Sequence, residues 1–123
     1  VAVIGRDEAH PSTREGWKLL EKNNPNDCRK FGVNWKEGLS GPNARFLPYN
    51  GGIGNAQLEW FRDIVSQASE RGDAVVAFSH LPIHPKAATY DTLLWNYEEV
   101  SKSWRRTRAL SSRGLRGTST LAE

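Results

Sequence analysis

Two histidines at the end of an apolar run are the residues in this chain best placed to do chemistry. The run Ala74-Val75-Val76-Ala77-Phe78 leads through Ser79 into His80-Leu81-Pro82-Ile83-His84-Pro85. Neutral imidazole is a common nitrogen ligand for metal ions, and a loop stiffened by two prolines fixes the direction in which a histidine points. His80 therefore has two readings, a metal ligand or a loop imidazole bonded to a backbone carbonyl. One histidine makes no ion site, since a bound cation needs about three or four protein ligands. The spacing His80-x-x-x-His84 matches no recognised ligand pattern, so His84 reads as loop structure or as the rim of a substrate site. No residue stands out as a nucleophile or general base.

The elements that must position these histidines follow from periodicity. Residues 74–79, after the Gly72-Asp73 turn pair, predict a buried strand with His80 at its carboxyl end, where open α/β sheets keep their ligand sites. Upstream, Leu58, Phe61, Val65 and Ala68, broadened by Ile64, form an apolar stripe at helical spacing. They predict a helix over about Asn55 to Arg71, capped by Asn55 and stopped by Gly72, with Trp60 as a packing shoulder. Ala44 to Tyr49 predicts a short strand, followed by the turn Asn50-Gly51-Gly52-Ile53-Gly54, which is neither a dinucleotide-binding nor a Walker pattern. Strand, helix and strand in that order imply a right-handed crossover.

A further strand is expected at Val1 to Ile4, and a helix capped by Ser12 or Thr13 with Trp17, Leu19 and Leu20 inward, ending at Asn23-Asn24 before Pro25. His10 reads as a solvated loop residue. Residues 25–43 form a long connection that Phe31, Val33 and Trp35 are expected to pin to the body. Leu93 to Val100 opens another amphipathic helix, after which the apolar pattern stops.

Composition bounds the rest. The 123 residues make one modest domain, with a net charge of +3. The charge is uneven: residues 101–123 hold Lys102, Arg105, Arg106, Arg108, Arg113 and Arg116 against Glu123 alone, which leaves residues 1–100 mildly acidic. Those cations lack an aromatic ladder or a nucleic-acid reading motif and read as a solvated tail, a nucleic-acid binder being the weakest of the functional readings. There is no apolar run long enough to span a membrane and no signal peptide pattern. The single Cys28 excludes an internal disulfide and suits a reducing, cytoplasmic setting. The absence of any Met suggests a processed chain or a piece of a longer coding sequence.

Several motifs, in order, resemble one family. Arg45-Phe46-Leu47-Pro48-Tyr49-Asn50-Gly51-Gly52-Ile53-Gly54, Gln57-Leu58-Glu59-Trp60, the Ser79 to Pro85 loop and Leu94-Trp95-Asn96-Tyr97 look like the manganese-dependent ADP-ribose/CDP-alcohol diphosphatases, which are calcineurin-like metallophosphoesterases. Val3-Ile4-Gly5 and Ser12 to Asn26, with Asn23-Asn24-Pro25-Asn26, extend the resemblance over about residues 1–100. It implies an α/β fold, a partial αββα sandwich of about three strands and three helices, with a disordered tail at 101–123. It also implies a dinuclear Mn²⁺ centre with His80 as one ligand, a nucleoside diphosphate substrate, and Leu81, Pro82 and His84 as candidate substrate contacts. The family's Asp-x-His, Gly-Asn-His and Gly-His-x-His ligand motifs have no counterpart, and the one Gly-Asp pair, Gly72-Asp73, is the turn pair named above. The expectation is therefore a diphosphatase relative lacking most metal ligands, or a catalytically inactive truncated or alternatively spliced product. A reading-frame change near Val100 is the simplest origin for the tail, and the isolated core is expected to be marginal and aggregation-prone.

Overall fold

The computed structural model describes residues 2–4 and 7–111, with side chains as far as residue 105. Among them are three helices, α1 (Pro11–Asn23), α2 (Asn55–Arg71) and α3 (Tyr97–Ser111), with short 3-10 turns at Gly41–Arg45 and Tyr90–Thr92. The only β pairing among the described residues is an isolated antiparallel bridge between Ala2 and Gly51.

The expected α/β sandwich with about three strands is overturned for this chain. The first expected strand is represented by the Ala2 bridge alone, and Ala44 to Tyr49 begins in a 3-10 turn and continues without a ladder. Residues 74–79 carry no strand either, and Val76 and Phe78 are 74% and 94% exposed. The reason is non-local: a strand needs neighbours for its backbone N–H and C=O groups, and the described residues supply none beside 74–79.

Helix α1 begins at Pro11, whose missing N–H costs nothing in a first turn. Its cap is His10 rather than Ser12 or Thr13: Nδ1 accepts from the Ser12 backbone N–H at 3.2 Å and lies 2.7 Å from the Ser12 hydroxyl. Thr13, Gly16 and Leu20 form its buried face, and Asn24 in extended geometry ends it before Pro25. Helix α2 has the limits its stripe predicts, with Leu58, Val65 and Ala68 buried. Gly54, not Asn55, occupies its N-cap position, while Gly72 at φ 74° closes it with the Asp73 N–H on the Ala68 carbonyl at 2.8 Å. Trp60 is 59% exposed and Ile64 41%, so the stripe is narrower than expected.

Helix α3 runs ten residues or so past the point where apolar periodicity ends, so the expected disorder from Ser101 is wrong as far as Ser111. Polar residues carry this extension. Ser103 is buried, donates its hydroxyl to the Glu99 carbonyl at 2.8 Å and accepts from Arg62 Nε at 3.0 Å. Trp104 stacks on Phe61 of α2, ring centroids 5.9 Å apart. The part of the tail expectation that concerns residues 112–123 lies outside the described residues.

Two apolar clusters form the core. Val3, Leu20, Phe46 and Trp95 make one, with Trp17 and Leu19 packed on it. Leu58, Leu94 and Val100 make the other, with Ile53, Phe61, Leu81, Ile83 and Tyr97 around it. The adjacent Leu94 and Trp95 serve one cluster each, so this dipeptide joins the two halves. Burying a tryptophan to 2% exposure contributes on the order of 5 kcal/mol before entropic costs.

Candidate functional site

The stretch from the end of α2 to the histidine loop is fixed at Gly72 and Asp73 and again at Pro82 and Ile83. At its start the α2 terminus is locked by Gly72 and Asp73, and Arg71 Nε meets the Asp73 carboxylate at 2.7 Å. At its end the Leu94 N–H donates to the Pro82 carbonyl at 3.0 Å, and the Ser101 hydroxyl to the Ile83 carbonyl at 3.1 Å. Leu81 and Ile83 are half-buried against Leu58, Leu94 and Val100. Ser79 tightens the first turn by donating its hydroxyl to the Leu81 carbonyl at 2.6 Å.

His80 and His84 are both exposed. His84 has a local task, its Nδ1 accepting from the Lys86 N–H at 3.2 Å while its carbonyl accepts from the Ala87 N–H at 2.9 Å. That leaves His80 presented at the surface on an anchored loop, with one imidazole lone pair to offer. The residues present do not fit a dinuclear metal centre, since among those described no group of three or more His, Cys, Asp or Glu side chains could hold an ion. Of the candidate substrate contacts, Leu81 faces the second core cluster, Pro82 is half-buried and His84 lies outside. An open cavity of about 390 Å³ lies elsewhere, lined by Phe31, Val33, Trp35, Lys36, Leu47 and Tyr49 among others, and none of residues 80–85 faces it.

What holds the loop's support in place is a set of polar clasps that periodicity does not reveal. Asn96 grips Ile53 twice: its Oδ1 accepts from the Ile53 N–H at 2.9 Å, and its Nδ2 donates to the Ile53 carbonyl at 2.8 Å. Beside it the Trp95 N–H donates to the Gly51 carbonyl at 2.8 Å. A Cβ on Gly52 would sit 3.1 Å from Asn96 Oδ1, so glycine keeps this approach close. The Asn50-Gly51-Gly52-Ile53-Gly54 and Leu94-Trp95-Asn96-Tyr97 motifs are thus two halves of one clasp.

Arg45 is a second clasp. It is buried, donates Nε–H to the Trp95 carbonyl at 2.7 Å and Nη1–H to the Pro42 carbonyl, and lies over the Phe46 ring at 4.3 Å. Its ion pair with Glu98 is longer, at 3.7 Å. Asn50 Nδ2 bridges the Arg45 and Asp91 carbonyls at 2.9 and 2.8 Å. The long connection is pinned by Asn24, which donates to the Trp35 and Phe46 carbonyls, and by Asn26, which donates to those of Trp35 and Glu37. Phe31, expected to help pin it, is fully exposed. Asn24, Asn26 and Asn50, which stand beside Pro or Gly, carried a signal in the sequence, whereas Asn96 and Arg45 carried none.

Outside the loop, the Lys36 ammonium donates to Asp91 at 2.8 Å, and this bond, followed by one from the Thr89 hydroxyl, holds the Asp91 carboxyl below its usual range. Burial, then the charge of Asp27, pushes the Cys28 thiol up.

No protein-family model matches the chain. Individual proteins do match, each over part of its length. The chain is 41% identical over 99 residues to the manganese-dependent ADP-ribose/CDP-alcohol diphosphatase of Oryza sativa subsp. japonica, covering 80% of this chain and 30% of that protein. The chain is homologous to part of this diphosphatase family. The counterpart enzyme of Arabidopsis thaliana is 36% identical over 100 residues, again covering 31% of its length. The structure superposes on a crystal structure of a dimetal phosphatase from Danio rerio with a TM-score of 0.76 and 31% identity, covering 85% of this chain and 32% of that one. The chain thus spans about 30% of the length of the diphosphatases it matches, and among the described residues it brings no metal-binding cluster with it.

Proposed function

We propose that these residues form the His80-bearing part of a metal-dependent hydrolase of nucleoside diphosphate derivatives, of the ADP-ribose or CDP-alcohol type. The observation that carries this reading is the similarity to the diphosphatases, combined with a loop that keeps His80 exposed on anchored backbone. Mn²⁺ is the ion this reading assigns, with His80 as one ligand and the remaining ligands supplied by polypeptide outside the chain. Pro82 and His84 then stand next to the reacting site as substrate contacts, while Leu81 seats the loop on the core.

Taken alone, these residues are inert in this reading, because an imidazole without further donors cannot retain an ion that would act on a phosphate ester. The experiment is hydrolysis of ADP-ribose and of a CDP-alcohol with Mn²⁺, by the chain alone and by a longer polypeptide in which it replaces the matching stretch of a diphosphatase. The chain alone is expected to release no product. The longer polypeptide is expected to turn over and to lose that activity with His80→Ala. Activity unaffected by His80→Ala would overturn the assignment.

A further inference from the structure

Helix α3 gathers on one side the cations that the sequence alone leaves as a tail. Positions 102, 105, 106 and 109 share one side of an α-helix, and position 108 adjoins 105 one turn on. Lys102, Arg105, Arg106, Ala109 and Arg108 occupy them. The opposite side is used by the body: Val100 is buried in the second cluster, Ser103 holds Arg62, and Trp104 stacks on Phe61. Lys102 and Arg105 are exposed, and among the described residues neither enters an ion pair. Arg105 Nε donates weakly to the Ser101 carbonyl at 3.4 Å. No acid neutralises this side. The sequence has none from Val100 to Ala122, and the two in the first turn are engaged elsewhere, Glu98 with Arg45 at 3.7 Å and Glu99 with Asn96 Nδ2 at 3.2 Å.

We propose that this side of α3 is a docking face for double-stranded nucleic acid, held through its phosphates and without sequence preference. From Lys102 to Arg108 the helix rises about 9 Å, over which duplex DNA presents about five phosphate charges. Four cations on that length match a polyanion of this charge density. Contacts to phosphate carry no sequence information, so no base-reading motif is required. The rest of the chain, mildly acidic over residues 1–100, repels a polyanion and so directs it to this end. A bilayer fits less well, because it needs apolar side chains to insert beside the cations, and Val100 and Trp104 are turned the other way. A single strand also fits less well, because its bases need aromatic rings to stack on. Tyr97 and Trp104, the aromatics of α3, are packed against the body. The proposal is independent of the hydrolytic reading above.

Fluorescence anisotropy of a short labelled DNA duplex of arbitrary sequence, titrated with the full chain, tests it. Binding is expected to be micromolar at low salt and to weaken about a hundredfold between about 50 and 200 mM salt, as four neutralised phosphates require. Replacing Lys102, Arg105, Arg106 and Arg108 together by Gln should weaken it at least about tenfold at low salt and flatten the salt dependence. The helical circular dichroism should survive, since Gln forms helices nearly as well as Lys and Arg. Lys102→Gln with Arg105→Gln alone should lower the salt slope by about two. Lys18→Gln, Lys22→Gln, Lys30→Gln and Lys86→Gln together remove the same charge from exposed positions elsewhere and should leave most of the binding. Equal losses in the two fourfold variants would overturn the proposal, because net charge and not this face would then be responsible. Loss of binding with Arg113→Gln and Arg116→Gln alone would overturn it too, since the contact would then lie beyond the helix. So would the absence of binding, a single strand held as tightly as the duplex, or tighter binding to phosphatidylserine vesicles.

Discussion

Asn96 stands immediately before α3, a position where Asn and Asp are about equally good helix caps. Considered as a cap, Asn96→Asp would be neutral. The structure predicts otherwise, because the side chain is turned to Ile53, with Oδ1 accepting from its N–H at 2.9 Å and Nδ2 donating to its carbonyl at 2.8 Å. Asn96→Ala removes both bonds. At about 1 kcal/mol net for each, on partly buried groups, the loss is about 2 kcal/mol, or roughly 10 °C in Tm for a domain of this size. Asn96→Asp is expected to be worse than Ala at neutral pH, since it sets a carboxylate oxygen against the Ile53 carbonyl and 3.2 Å from where the Glu99 carboxylate now meets Nδ2. Acid should partly rescue it, because a protonated carboxyl can donate to the Ile53 carbonyl. Its folded-state pKa is raised by this contact, so the rescue is complete below the ordinary Asp value and fades as pH rises through the raised one. Urea unfolding followed by tryptophan fluorescence, for the parent and both variants at neutral and acidic pH, measures the series. Equal stability of parent and Asn96→Asp at neutral pH would refute the clasp and restore the simple cap.

Other outcomes follow from the same contacts. Arg45→Met should cost about 2–4 kcal/mol in urea unfolding, since it strands the buried Trp95 carbonyl, and Arg45→Lys should recover only part of this because one ammonium does not reproduce the guanidinium fork. Cys28 should react with thiol reagents far more slowly in the native chain than in urea. Because burial raises its thiol pKa, the unfolded chain ionises first, so stability should fall as pH climbs past the ordinary thiol value, a slope that Cys28→Ala removes. The Asp91 carboxyl is lowered by the Lys36 bond, so its contribution is present at neutral pH and disappears as pH falls through the lowered value. Asp91→Asn should erase that part of the acid limb, and high salt should shrink it because Lys36 is exposed and Asp91 only half-buried.

Local signals in the sequence carried far and then stopped at a clear physical boundary. The limits of α2 were legible because Leu58, Val65 and Ala68 repeat at helical spacing and Gly72 supplies the left-handed stop. The buried strand expected at residues 74–79 did not form, since ladder bonds depend on neighbouring strands that the described residues do not include. Periodicity also missed residues 101–111, whose helix is held by Ser103, Trp104 and Arg62 rather than by an apolar stripe. The burial of Arg45 and the grip of Asn96 depend on partners 50 and 43 residues away, and no local window contains both ends. His10 became a cap through a ring nitrogen, outside the usual set of capping side chains. At the candidate site, the stiffness of the Ser79 to Pro85 loop could be read from its prolines, whereas its anchoring to Leu94 and Ser101 could not.

Calorimetric titration of the chain with Mn²⁺, alongside His80→Ala, tests the central claim most directly, namely that His80 is held ready on a folded support without the partners an ion site needs. The expected result is no binding tighter than millimolar, the same in both proteins, while far-UV circular dichroism shows the helices intact. A micromolar site in the parent chain that vanishes with His80→Ala would contradict it, because a complete set of ligands would then reside in these 123 residues.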